Sequence, residues 1–345
     1  MQTDEMDVIY IVPHFHYDAA HLKTREEAIY LNCGILLDML HLLRKCKDYR
    51  LVLDQEVLIS TFLRRYPEQR NLLLQMIREG KVEIVGGVHV QADTNIPSGE
   101  SFVRQIFFGK KFCKEILGVD VTIGWMIDSF GHHPQIPQLM KKAGYNFYCF
   151  ARGVSGIFCS EFIWEGIDGT RILVHWMPLG YGVAYLPDPK DIDTGITALV
   201  RSYEILKRYS ATGNILAPYG TDDVFFKANP NLILIRDRVN AISEKFKFKI
   251  ATPSEFFNVI RQAEHELSVI KGDFNPIFQG CYSARIKLKQ YNRLLENMLY
   301  TCEAFSTIAW VLGSRYPEDI LLRLSLIHIS EPTRPLYISY AVFCL

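Results

Sequence analysis

The chain has 345 residues, 49% hydrophobic and 22% charged, a composition that buries one large core or two modest ones and is not that of a disordered chain. Lysine plus arginine number 38 and aspartate plus glutamate 38, so no basic surplus exists to hold a phosphate backbone, and nucleic acid is not an expected partner. The longest apolar stretches, Val8 to Val12 and Ile35 to Leu43, fall far short of the roughly 20 residues of a membrane span.

The first residues, MQTDEMD, are acidic where a secretory leader would be basic, and the apolar run after them ends at Pro13. That pattern predicts a cytoplasmic protein without a membrane segment. Short β-rich runs then alternate with helical patterns. Strands are predicted at Val8 to Val12, Arg50 to Leu53, Val82 to Val85, Thr122 to Ile127, Phe147 to Phe150, Ile172 to Trp176, Ile215 to Ala217 and Phe248 to Ala251. Glu26 to Lys45 carries Ile29, Cys33, Leu36, Leu37 and Leu40 on one helical face. Ser98 is placed to N-cap a helix opening at Gly99-Glu100. Asp168-Gly169 reads as a hairpin turn between Ile163-Trp164 and Arg171 to Trp176. This alternation is that of an α/β layer or barrel with largely parallel strands. From Ser283 to Leu312 the pattern becomes one uninterrupted helix, with Ile286, Leu288, Tyr291, Leu294, Leu295, Met298, Leu299 and Cys302 forming an apolar side. The eight cysteines contain no CxxC pair and read as reduced core residues.

In α/β folds the binding site lies at the carboxyl ends of the strands. Here those ends carry His14, His16 and Asp18, then Asp128, Arg152, His175 with Tyr181, and finally Asp222-Asp223. In extended chain His14, His16 and Asp18 share one side, away from Phe15 and Tyr17. Imidazole with carboxylate suits zinc in mixed N/O coordination, and Asp128 from another strand end completes three protein ligands. Taken singly, each has a plainer role: HxHxD as a polar strand end, Asp128 as a helix cap, Asp222-Asp223 as a turn cap. The convergence of several at strand ends favours a metal.

The order of motifs resembles the catalytic domain of the zinc-dependent retaining α-mannosidases, glycoside hydrolase family 38. The motifs are VPHFHYD, DTNIPSGESFVRQIFFGK, WMIDSFGHHPQIPQLMKKAGY, ARG, HWMPLGYG, PYGTDD and GCYSARIKLKQYNRLLE, spread over nearly all of residues 8 to 310. The resemblance implies a distorted seven-stranded (β/α) barrel or sheet at residues 1–280, followed at 281–324 by the start of a helical, three-helix-bundle-like unit. It implies one zinc ion held by His16, Asp18 and Asp128, with Asp128 also the nucleophile. Asp222 is the implied acid/base, with Asp223 in reserve; Arg152 and Tyr181 border the sugar, and His14 stands behind the metal. The implied substrate is a carbohydrate with an α-mannosyl end, and a homo-oligomer is left open.

Two departures accompany it. The tryptophan that usually closes the first motif is replaced by Ala19-Ala20-His21. The family's fourth zinc ligand, a histidine just before an aspartate, finds no match, because His328 precedes Ile329. Ser325 to Leu345 resembles translated sequencing-adapter sequence, so the expectation is a catalytic domain cut short, with an artefactual tail and weak or no activity. Two rival readings remain at this point. A metal-dependent amidohydrolase would need a carboxylated lysine or further metal histidines at later strand ends, and a non-catalytic carbohydrate-binding fragment would keep the fold without a complete metal site.

Overall fold

A computed structural model describes residues 6–19, 22–154, 156, 159–186, 192–275, 278 and 280–327. Ten strands run in chain order: β1 (Asp7–Pro13), β2 (Leu51–Gln55), β3 (Val82–Val88), β4 (Ile123–Met126), β5 (Phe147–Phe150), β6 (Glu161–Glu165), β7 (Arg171–Trp176), β8 (Asn214–Tyr219), β9 (Phe246–Ile250) and β10 (Val269–Lys271). The helices are α1 (Arg25–Lys45), α2 (Glu56–Arg65), α3 (Arg70–Arg78), α4 (Gly99–Phe112), α5 (Ile136–Lys142), α6 (Ile192–Leu206), α7 (Leu232–Ile242), α8 (Pro253–Ile260), α9 (Gly280–Ser283), α10 (Ile286–Val311) and α11 (Glu318–Ile327). No helix among the described residues is long and apolar enough to cross a membrane.

The strands form three hydrogen-bonded sheets, in the orders β8-β1-β9, β2-β3 and β10-β6-β7-β5-β4. Every pairing is parallel except the β6–β7 hairpin, where Asp168 accepts from the Thr170 N–H at 3.1 Å and Gly169 takes a positive φ of 81°. Strand alternation divides the core. Ile9 and Ile11 of β1 face a helix-covered layer with Leu53, Ile84, Phe150 and Val174, while Tyr10 and Val12 face an inner cluster with Val52, Val85, Trp125, Cys149, Leu173 and Leu216. Because strands of all three sheets contribute to that inner cluster, their carboxyl ends are gathered around one region.

The helices follow the expected local rules. Thr24 closes a capping box with Glu27 at the start of α1, and Ser98 accepts from the Ser101 N–H at the start of α4. Strand β10 carries no sequence signal of its own: its three residues are largely exposed and form no buried run.

Beyond residue 280 the structure departs from the sequence expectation in two ways. The helix is interrupted, since Arg285 takes a left-handed conformation (φ 48°) between α9 and α10. The face of α10 turned inward is largely polar: Lys289, Asn292, Glu296 and Leu299 are buried, whereas Ile286, Tyr291, Leu294 and Met298 are exposed. The cause is the surface it meets. Glu296 accepts from the Ser98 N–H at 2.9 Å, Ser98 Oγ bonds the Tyr300 hydroxyl at 2.7 Å, and Arg104 pairs with Glu303, so α10 docks on the amino end of α4, where an anion is favoured. Of the tail expected from Ser325, residues 325–327 end α11; residues 328–345, with His328, lie outside the described residues, as do Ala20 and His21.

Candidate active site

The site is built on a continuation of β1. Past Pro13 the chain stays extended, with His14 bridging to Val52 on the β2 side and His16 to Asp222 on the β8 side. The His16 N–H donates to Thr221 O at 3.0 Å, and the Asp223 N–H donates to His16 O at 2.9 Å. Gly220 makes that pairing feasible, because a Cβ there would collide with the His14 carbonyl.

His16 and Asp18 then meet Asp128, which follows β4. His16 Nε2 lies 3.3 Å from Asp18 Oδ1 and 3.6 Å from Asp128 Oδ2, and one ligand atom from each residue fits within a 4.8 Å group. All three side chains are buried. Bonds of about 2.1 Å in tetrahedral geometry put ligand atoms roughly 3.4 Å apart, so the observed spacing suits a single ion. His16 Nε2 is also buried without a hydrogen-bond partner, an arrangement that costs free energy unless a cation or proton sits there. Burial disfavours the His16 imidazolium, yet Asp18, Asp54 and Asp128 outweigh it and hold the ring well above the usual histidine range. The donor set of one imidazole and two carboxylates fits zinc.

His14 does not join this group. Its Nε2 lies 2.8 Å from Tyr181 O, its ring meets Trp125 edge-on, and burial lowers its pKa to about 4, so it is a neutral imidazole behind the site. Arg152 Nε pairs with Asp128 Oδ1, and its guanidinium lies 5.7 Å from the Tyr181 ring and 5.3 Å from Phe130. The Tyr181 hydroxyl donates to Asp222 Oδ1 at 2.5 Å. Burial, then the Asp128 and Asp222 carboxylates, keep that phenol protonated.

The two neighbouring aspartates diverge. Asp222 is half-buried beside Tyr181, whereas Asp223 is buried against Asn32 of α1. Burial, opposed by the Asn32 hydrogen bond, raises Asp223 to about 6. His175 lies apart: it sits within β7, with Nδ1 3.0 Å from the buried Glu161 and its ring against Phe256.

Several residues at the site escape a reading of the sequence. Asp54 Oδ2 lies 3.9 Å from His16 Nδ1. Gln55 donates to Tyr17 O at 2.8 Å and accepts from the Gln91 N–H at 2.9 Å. The Gln91 amide oxygen, in the orientation its surroundings require, accepts from the Asp128 N–H at 2.8 Å. Phe278, at a positive φ of 59° and half-exposed, packs edge-on against Phe130 at 5.3 Å. Asp54 and Gln55 stand just past the predicted strand Arg50 to Leu53, a position that marks them only as strand-end residues; Gln91 and Phe278 carry no such mark.

Residues 6–279 match the family model described as Glycosyl hydrolases family 38 N-terminal domain. The chain belongs to glycosyl hydrolase family 38. It is 28% identical over 293 residues to an α-mannosidase of Saccharomyces cerevisiae, covering 81% of this chain and 26% of that protein. It is 26% identical to α-mannosidase G of Dictyostelium discoideum, covering 73% of this chain and 23% of that one. A putative mannosylglycerate hydrolase of Halalkalibacterium halodurans is 26% identical, over 94% of this chain and 40% of its own. The chain thus spans about a quarter of the length of the first two relatives. Among solved structures, an α-mannosidase from Enterococcus faecalis superposes with a TM-score of 0.85 at 22% identity, covering 97% of this chain and 39% of that one. That likeness establishes a shared mixed α/β fold.

Proposed function

We propose that this chain carries the catalytic domain of a zinc-dependent α-mannosidase that removes α-linked mannose from glycan or oligosaccharide ends with retention of configuration. The observation that carries the reading is the convergence of His16, Asp18 and Asp128 at ion-sized separations, with Arg152, Tyr181 and Asp222 linked to them. Family membership and the names of the relatives support it. The amidohydrolase alternative loses its basis, since among the described residues this group is the one metal-capable cluster and it holds a single histidine. The sheets are read as arcs of one distorted seven-stranded-type barrel, supported by their common inner cluster.

His16, Asp18 and Asp128 would hold the zinc ion, which supplies a Lewis acid for sugar hydroxyls. Arg152, paired with Asp128, fixes one oxygen of that carboxylate and so orients the group for attack on the anomeric carbon. Asp222 is assigned as acid/base because it faces Tyr181 beside the Asp128–Arg152 pair, whereas Asp223 is turned to α1. A proton on Asp222 passes to the departing glycosidic oxygen as the glycosyl–Asp128 bond forms; Asp222 then takes a proton from the water that releases mannose.

The test is hydrolysis of an aryl α-mannoside by the purified chain after dialysis against chelator and after zinc is restored, with the first-formed anomer read by NMR. Zinc-dependent release of α-mannose supports the reading. Stoichiometric zinc binding without turnover would favour the carbohydrate-binding alternative, and release of β-mannose would remove Asp128 as nucleophile.

A further inference from the structure

We propose that Asp54 is a positioning residue for the metal site: its Oδ2 accepts from His16 Nδ1–H and thereby fixes the tautomer that presents Nε2 to the ion. The inference rests on the metal reading given above and extends it to a residue outside the ligand group.

The two ring nitrogens of His16 point away from each other and meet different partners. Nε2 faces Asp18 and Asp128, and Nδ1 faces Asp54 Oδ2 at 3.9 Å. Both Nδ1 and Asp54 Oδ2 are buried, and neither has a hydrogen-bond partner. Two complementary buried groups that each lack a partner and face one another have an evident resolution in a bond between them. A carboxylate only accepts, so the proton must be on Nδ1, which leaves the Nε2 lone pair for the ion. The observed gap is about 1 Å longer than a charge-assisted N–H···O bond, a distance that a modest rotation of the imidazole closes once Nε2 is drawn toward an ion.

The backbone fixes where Asp54 stands. It is the penultimate residue of β2, and its own carbonyl packs against Gly86, where φ is +68° and a Cβ would overlap that oxygen. The next residue, Gln55, reaches Tyr17 O, the carbonyl between the two ligands His16 and Asp18, and also receives the Gln91 N–H. The carboxyl end of β2 therefore holds the first ligand motif twice, by its backbone through Gln55 and by its imidazole through Asp54. An imidazole held by a carboxylate on its far nitrogen is oriented and made a more basic ligand, and loss of such a partner costs about 10- to 100-fold in metal affinity.

The experiment uses the full chain as wild type, Asp54→Ala and Asp54→Asn. Zinc affinity is measured by competition with a chromophoric chelator, the Co2+ absorption spectrum reports ligand geometry, and urea unfolding of the metal-stripped proteins reports the fold. Asp54→Ala is expected to keep one ion per chain and bind it roughly 10- to 100-fold more weakly, with a changed cobalt spectrum. Asp54→Asn, whose carbonyl oxygen still accepts from Nδ1–H, is expected to recover most of the affinity and the wild-type spectrum. Wild-type affinity and spectrum in Asp54→Ala would overturn the inference while leaving the metal site standing. Asn as weak as Ala, with the fold intact, would also overturn it, because charge rather than orientation would then be the contribution. If Asp54→Ala does not fold, Asp54→Asn decides alone: wild-type affinity and spectrum support the inference, and weakened binding overturns it. A wild-type chain that binds no zinc overturns the metal reading and this inference with it.

Discussion

Asp223→Asn separates a buried carboxylate that burdens the fold from a carboxylate that does chemistry. Asp223 is 4% exposed and its pKa is raised from 3.8 to about 6, burial outweighing the hydrogen bond from Asn32. A raised folded value means that the native state binds more protons than the unfolded chain between those two pH values. Stability from this group is therefore fully present below about pH 4 and is lost as pH rises through about 6. Two units correspond to about 3 kcal/mol. Asparagine cannot ionise, and its carbonyl still accepts from Asn32, so that pH-dependent loss disappears; the new amide N–H needs a partner, a constant cost of about 1 to 3 kcal/mol that does not vary with pH. Urea unfolding of metal-stripped wild type and variant should show the stability difference moving in the variant's favour by about 3 kcal/mol from pH 4 to pH 8. A difference that stays flat over that range would refute the reasoning. Turnover supplies a second readout: if Asp223→Ala loses activity and added azide restores it, the acid/base role belongs to Asp223 and not to Asp222.

Asp128→Asn should lose turnover on an aryl α-mannoside by roughly a thousandfold or more, checked by initial rates at saturating zinc. Asp222→Ala should lose about 10²- to 10⁴-fold on substrates with poor leaving groups, and azide should rescue this variant and not Asp128→Asn. Zinc affinity should rise with pH, because the ion must displace the proton that Asp18, Asp54 and Asp128 hold on His16 against the effect of burial; chelator competition between pH 6 and 8 measures it, and a pH-independent affinity would exclude His16 as a ligand. Glu296→Ala should destabilise the fold by about 1 to 3 kcal/mol, since it strands the Ser98 N–H at the start of α4. Glu296→Gln keeps an acceptor and should lose less, both read from urea denaturation.

The strands that carry the site were legible because they are short, buried runs of apolar residues, β-branched as in DVIYIVP or aromatic as in FYCF. The group proposed to hold the ion was legible for a related reason: His16, Asp18 and Asp128 are reactive side chains placed just past such runs, and the structure brings their ligand atoms within 4.8 Å of one another. The helix after residue 280 was harder. Its hydrophobic period marks an apolar side, but which side is buried depends on the surface it meets. The amino end of α4 and Arg104 selected the side carrying Glu296, Tyr300 and Glu303. No pattern within α10 contains that information.

The same distinction explains why residue type does not reveal what Asp54, Gln55 and Gln91 reach. A metal ligand must be imidazole, thiolate or carboxylate, so residue type alone narrows the candidates to a few positions. A residue that holds a ligand in place needs only one correctly aimed donor or acceptor, and almost any polar side chain supplies one. Gln55 and Gln91 are neutral amides whose importance lies in reaching Tyr17 O and the Asp128 N–H. Asp54 stands in LVLDQE, where a carboxylate before a helix reads equally well as a cap. Its relation to His16 becomes visible only when β2 is laid beside the continuation of β1, through the bridge between His14 and Val52. The groups proposed to do the chemistry are therefore read from residue type and strand position, and the groups proposed to give those residues their geometry are read from the register between strands.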